Sequence, residues 1–208
     1  VRANPSHFLW RQSLNRSFFY QLIKTNSAIR STRIKTAWVL LADLFRLRHL
    51  VIQFDPVNAC NLRCTMCYYG NPDYTKRKRQ RQYRFTEDEL QKLAKEFFPL
   101  ALTLNVGAAA EPTVHKNYID LILLAKRYKV PSVSLTTNGQ KITAKEVKQL
   151  VAAGLDEIIL SVHGVTAQTY EHFMQNANFD KFVALLNQLK SEKQEQGREK
   201  PEIRLNYT

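Results

Sequence analysis

The chain has 208 residues, of which 44% are hydrophobic, enough to bury a core and to set disorder aside as the default state. Lys and Arg outnumber Asp and Glu by 31 to 18, a formal charge of +13, which favours anionic partners without choosing among nucleic acid, lipid and acidic substrate. Asp43 and Arg46 interrupt the most apolar stretch, residues 37–47, so no run reaches the roughly 18 residues of a membrane-spanning helix; the secretory leader pattern is also missing, and the expected compartment is cytoplasmic.

Residues 1–49 mix apolar and basic positions at helical spacing, as in Phe18 and Leu22 and then Trp38, Leu41 and Phe45, with interruptions near Ser27 and Ser31. Two or three helices are expected, forming an N-terminal extension. Its plain reading is an accessory segment packed on the main domain. The sharper reading is a basic amphipathic surface making weak peripheral contact with a membrane or another anionic partner.

From residue 50 onward, apolar strand runs alternate with longer helical stretches, the pattern of strand–helix units on a parallel sheet. Strands are expected over residues 49–55, 101–106, 131–136, 157–162 and 202–207. Thr86-Glu87-Asp88-Glu89 and Thr143-Ala144-Lys145-Glu146 are capping boxes, which start helices near 87–98 and 144–153. A further helix is expected over residues 116–128, Gly154 ends the helix before it, and one or two helices follow within 166–196. Pro201 then returns the chain to extended structure. The opening Val1 and the strand pattern running up to Thr208 lead to the expectation of a fragment, incomplete at its C-terminus.

All three cysteines fall within Cys60-Asn61-Leu62-Arg63-Cys64-Thr65-Met66-Cys67. An odd, tightly grouped set cannot pair completely as disulfides and reads as a metal or redox site. Thiolates are the usual ligands of iron–sulfur clusters, and three of them can hold three irons of a cubane while leaving the fourth open. Zinc would require a fourth ligand such as His49 or His115, neither of which has zinc-finger spacing.

The C-x3-C-x2-C spacing of Cys60, Cys64 and Cys67, directly after a first strand, resembles that of radical SAM enzymes. Gly107-Ala108-Ala109-Ala110-Glu111-Pro112 is similar to the family's GGEP segment, with alanines in place of glycines. Thr137-Asn138-Gly139 resembles the end of its third strand. Leu160-Ser161-Val162-His163-Gly164 resembles the end of the fourth strand in the SPASM-containing branch, where an aspartate usually stands in place of His163. The resemblance implies a truncated (β/α) barrel over residues 50–208. It also implies a 4Fe-4S cluster on Cys60, Cys64 and Cys67 and S-adenosylmethionine held by Met66, Ala109, Ala110, Glu111, Pro112, Thr137, Asn138 and Ser161.

By the same resemblance, reductive cleavage of that cofactor yields methionine and a 5'-deoxyadenosyl radical, which abstracts hydrogen from a substrate. The implied partners are an electron donor such as flavodoxin or ferredoxin and a substrate that includes peptides among its candidates. A downstream SPASM domain carrying auxiliary clusters is also implied. The competing class is a non-catalytic metal-binding or nucleic-acid-binding module with zinc or a structural cluster on the same cysteines.

His163 stands at a strand end, either facing a substrate to move protons or bonding a loop; His115 reads as a helix-start residue. The stretch from Lys76 to Arg84 contains six basic residues, Lys76, Arg77, Lys78, Arg79, Arg81 and Arg84, and no acid. It is expected to be a solvated loop, or else an anion-binding or partner-docking site. Tyr68, Tyr69 and Tyr83 would add stacking faces for a single-stranded nucleic acid.

Overall fold

The structure is a computed structural model that describes residues 31–79 and 83–207. It divides into two units, Val1–Leu47 and Arg48–Thr208. In the first unit, helix α1 (Thr32–Leu44) starts at the N-cap Ser31 and ends at Phe45. Trp38 and Leu41 lie on it as their spacing predicts. Ala42 is its buried residue, while Trp38, Leu40 and Leu44 are exposed. The helices expected around Phe18, Leu22 and Ser27 lie outside the described residues. No helix among the described residues is long and apolar enough to cross a membrane.

The second unit is built on five parallel strands, β1 (Leu50–Phe54), β2 (Ala101–Val106), β3 (Ser132–Thr137), β4 (Glu157–Val162) and β5 (Glu202–Tyr207). They pair in chain order. Each step from strand to neighbouring parallel strand needs a crossover, and helices supply it. The crossovers are α2 (Pro72–Arg79) with α3 (Glu87–Phe97), then α4 (Tyr118–Arg127), α5 (Ala144–Ala152), and α6 (Ala167–Phe173) with α7 (Phe179–Glu195). This is the expected partial barrel of strand–helix units. The basic stretch differs from its expectation as a loop: Lys76 to Arg79 form the end of helix α2, and residues 80–82 lie outside the described set.

Side-chain chemistry explains the helix boundaries. Thr86 and Glu89 form the expected capping box on α3, and Thr143 and Glu146 do so on α5. Gly154, with φ +71, lets the chain leave α5 in the left-handed region that other residues avoid. On α6 the hydroxyl of Thr169 takes the part usually played by a carboxylate and closes a box with Thr166. The buried face of α4, comprising Tyr118, Ile119, Leu121, Ile122 and Ala125, has helical spacing and packs in one core with Leu104, Val133, Leu135 and Ile158 of the strands. β5 is mostly exposed, including Leu205 and Tyr207.

Charged side chains tie the N-terminal ends of the strands together. Arg48 donates to the carbonyls of Phe98 and Ala101 at 2.7 and 2.9 Å and to that of Tyr128 at 2.7 Å. Asp156 accepts from the Val133 amide at 2.9 Å and pairs with Lys126 and Lys200. The opposite ends are thereby left for the loops that form the site, as parallel α/β architectures require.

Candidate active site

The chain leaves β1 through Asp55 and Pro56 and enters the cysteine loop. Leu62 is buried and anchors this loop in the core. The Arg63 guanidinium folds back onto the carbonyls of Cys60 and Leu62, at 3.2 and 2.9 Å. The amides of Arg63 and Thr65 donate to the carbonyls of Gln175 and Phe173, which fixes the loop against the last residue of α6 and the turn after it. Gly70 lies so close to the loop that a Cβ there would fall 2.1 Å from the Cys64 carbonyl oxygen.

The three cysteines are unpaired and half-buried. The Leu62 amide donates to Cys60 Sγ at 3.4 Å, and Asn138 Nδ2 approaches the same sulfur at 3.9 Å. Burial pushes the Cys60 thiol up to about 12 and the Cys64 thiol up to about 11; repulsion from neighbouring thiols and from Glu111 adds to both shifts. Three sulfurs and a carboxyl group thus share a partly desolvated space that disfavours their charged forms, and cationic iron bound to the thiolates would offset that cost. Among the described residues, no three His, Cys, Asp or Glu side chains converge to hold a single metal ion. A cubane takes one thiolate on each of three irons, and the three free cysteines of this single loop supply that donor set.

Glu111 organises the adjoining loops. Its side chain is buried, and Oε1 accepts from the Thr113 amide (3.1 Å), the Thr113 hydroxyl (2.6 Å) and the Thr137 hydroxyl (2.7 Å), while Oε2 accepts from the Asn138 amide (2.8 Å). Burial raises its carboxyl pKa, and these donors oppose the rise. Asn138 extends the network by donating to Asn61 Oδ1 at 3.0 Å. Glu111, Thr137 and Asn138, singled out in sequence, therefore meet at one point beside Cys60. Pro112 is buried and opens a short 3-10 turn.

Only one glycine is needed in the Gly107–Pro112 segment. Gly107 has φ +94, and a Cβ would lie 2.2 Å from the Thr136 carbonyl oxygen. Ala108, Ala109 and Ala110 avoid positive φ, so the alanines suit the turn as built. Asp55 holds their three consecutive amides: Oδ1 accepts from Ala108 at 2.8 Å and from Ala110 at 3.3 Å, and Oδ2 accepts from Ala109 at 3.0 Å. Sequence reasoning missed Asp55, although its place at the end of β1 was visible.

Met66 and His163 form a separate part of the site, lining an open cleft of about 330 Å³ with Thr65, Phe173 and Tyr207. Ser161 stands one residue before the end of β4, opposite Asn206 of β5, at the same end of the sheet but outside the Glu111 network. His115 is pinned structurally: Nε2 meets the Phe85 carbonyl at 2.8 Å, and Nδ1 accepts the Asn117 amide at 3.1 Å. Gln140 was also missed. It links the third-strand loop to Tyr170 at 3.2 Å and, through Asn178, to the start of α7.

A family model described as the radical SAM superfamily matches residues 55–196. The chain is 26% identical over 132 residues to a GTP 3',8-cyclase of Pectobacterium atrosepticum, covering 62% of this chain and 39% of that protein. It is 28% identical over 163 residues to a Pyrococcus furiosus protein named as modifying the cofactor of tungsten-containing aldehyde ferredoxin oxidoreductase, covering 73% of this chain and 41% of that one. Among solved structures, anSMEcpe with bound AdoMet and a Cp18Cys peptide superposes with a TM-score of 0.56 at 18% identity, over 75% of this chain and 41% of that one. The chain thus spans about two fifths of the length of each of these proteins.

Proposed function

Because the chain belongs to the radical SAM superfamily, we propose that the intact protein is a radical SAM enzyme that cleaves S-adenosylmethionine reductively and uses the resulting radical to abstract hydrogen from its substrate. The observation that supports this reading best is the Cys60, Cys64 and Cys67 loop, pinned beside the buried Glu111 network at the C-terminal ends of the strands. Cys60, Cys64 and Cys67 would hold a 4Fe-4S cluster, which would supply the one-electron reduction that the cleavage of S-adenosylmethionine needs.

The chain's own residues position the reactants. Glu111 fixes the loops after β2 and β3, so that the backbone of Ala109 and Ala110 and the side chains of Thr137 and Asn138 present a fixed polar surface to the cofactor. Asp55 keeps the alanine loop from moving. Met66 supplies an apolar contact at the edge of the cleft, with Ser161 at the neighbouring strand end. His163, in the same cleft, is placed to hold or move a proton near the substrate.

In this reading residues 1–49 are an extension and 50–208 the core domain. The enzyme works in the cytoplasm with a flavodoxin or ferredoxin as reductant. The segment from Leu160 to Gly164 supports a place in the SPASM-containing branch. Peptides, expected from that segment, and GTP, named in the curated relatives, are the two substrate classes to screen. The test is anaerobic reconstitution of the full-length protein with iron and sulfide, followed by dithionite and S-adenosylmethionine. Formation of 5'-deoxyadenosine is the expected result, and its absence from protein with a full complement of cluster rejects the reading.

A further inference from the structure

We infer that helix α2 is the docking surface for an acidic one-electron carrier protein, an assignment that rests on the function proposed above. The helix is fastened to the cysteine loop. Gly70 packs on the Cys64 carbonyl without room for a Cβ, and its amide donates to the Cys67 carbonyl at 2.8 Å. One residue later, Asn71 Oδ1 caps α2 by accepting from the amides of Asp73 (2.9 Å) and Tyr74 (3.2 Å). The rings of Tyr68 and Tyr69 then meet Tyr74 with centroids at 4.6 and 5.7 Å, bracing the helix against the end of the cysteine loop.

Beyond this brace the helix turns basic. Lys76 and Arg77 are exposed, and neither makes an ion pair among the described residues. The sequence continues with Lys78, Arg79 and Arg81. A helix C-terminus is favoured by one or two cations through its dipole; the four consecutive ones that end this helix, Lys76 to Arg79, exceed that need and create a field.

The position of the helix indicates which anion it meets. The chain returns from α2 through Arg84, which bridges Val57 just past β1, whereas the open cleft at the cysteine loop is lined by His163 and Tyr207 from the ends of β4 and β5. A substrate has that cleft; the basic helix offers a charged surface, with Lys76 and Arg77 exposed, on the β1 side of the same loop. Of the candidate base platforms, Tyr69 is buried, Tyr68 packs on it and on Tyr74, and Tyr83 meets Phe85 edge-on. The exposed rings Tyr68 and Tyr83 are thus braced in separate aromatic clusters, which disfavours a continuous stacking surface for nucleic acid. Reductive chemistry, by contrast, requires electrons from outside. The reduced carrier gives up one electron, the group held by Cys60, Cys64 and Cys67 accepts it, and no bond or proton is exchanged in that step. A carrier with surplus carboxylates would be steered to Lys76 and Arg77 and held close to the thiolates.

The experiment uses the full-length reconstituted protein, a reduced flavodoxin of net negative charge as probe, and the double variant Lys76→Glu/Arg77→Glu. Binding is measured by calorimetry. At low salt the variant should bind flavodoxin about tenfold or more weakly, and the wild-type affinity should fall as salt rises. In parallel, 5'-deoxyadenosine formation driven by limiting flavodoxin should fall about tenfold in the variant, while formation driven by dithionite should stay within about twofold. Unchanged flavodoxin binding overturns the assignment. An equal loss with both reductants also overturns it and moves the helix to substrate or cofactor binding. If the wild type forms no 5'-deoxyadenosine with dithionite, the proposed function fails and the inference with it, a result that the binding arm separates from failure of docking alone.

Discussion

At one end of the sheet, Arg48 reaches three carbonyls and Asp156 joins the starts of β3, β4 and β5 through two lysines and backbone bonds. At the other end, Glu111 and Asp55 accept from amides and hydroxyls, and burial pushes the Cys60 and Cys64 thiols up. One end compensates its charges internally. The other holds partly desolvated thiols and a buried carboxyl whose charged forms burial disfavours, and a bound cationic group would favour the thiolates, which is the ordinary division between a framework and a site.

Substitutions at the two ends should therefore separate stability from cofactor loading. The largest effect on loading is expected from Cys64→Ala. It should abolish the cluster's visible absorbance while shifting chemical-denaturation stability by only about 1–2 kcal/mol, because a half-buried loop sulfur contributes little packing; retention of a normal cluster spectrum would break the comparison. Asp156→Ala is the counterpart. It strands the Val133 amide and two lysines and should cost about 2–3 kcal/mol in denaturant unfolding, with iron content per folded protein unchanged.

Asp55→Ala should produce a mixed result. Losing three amide partners costs about 1–2 kcal/mol, and the freed alanine loop should weaken S-adenosylmethionine binding several-fold by calorimetry while sparing iron content. Full cofactor affinity in this variant would remove Asp55 from the site. The smallest effect is expected from Thr143→Ala, which opens the capping box of α5. A loss of about 1 kcal/mol with unaltered loading is the predicted outcome.

The same contrast governs what was legible in the sequence. Strand runs, capping boxes and Gly154 depend on neighbours within a few residues, so Thr86, Thr143 and the five strands could be read directly. The cysteine spacing is equally local. The partnership of Asp55 with the alanine amides spans more than fifty residues, as does that of Asn138 with Asn61, and pairing across that separation leaves no periodic trace. Some local signals were present and went unused. Asn71 followed by Pro72 and Asp73 has the form of an N-cap, a first-turn proline and a first-turn acid, and it marks α2 as a helix where the charge run had drawn attention to a loop. Thr169 escaped notice because a hydroxyl stands where a carboxylate is usual. Glu111 was found, but the sequence could not tell that internal donors engage both its oxygens.

The most direct test is electron paramagnetic resonance, with metal analysis, on the anaerobically prepared full-length protein before and after S-adenosylmethionine is added. At least four irons per chain, a reduced-cluster signal that changes on addition of the cofactor, and loss of that signal in Cys64→Ala are predicted. Stoichiometric zinc in tetrahedral thiolate coordination, or protein that binds no metal, would contradict the account.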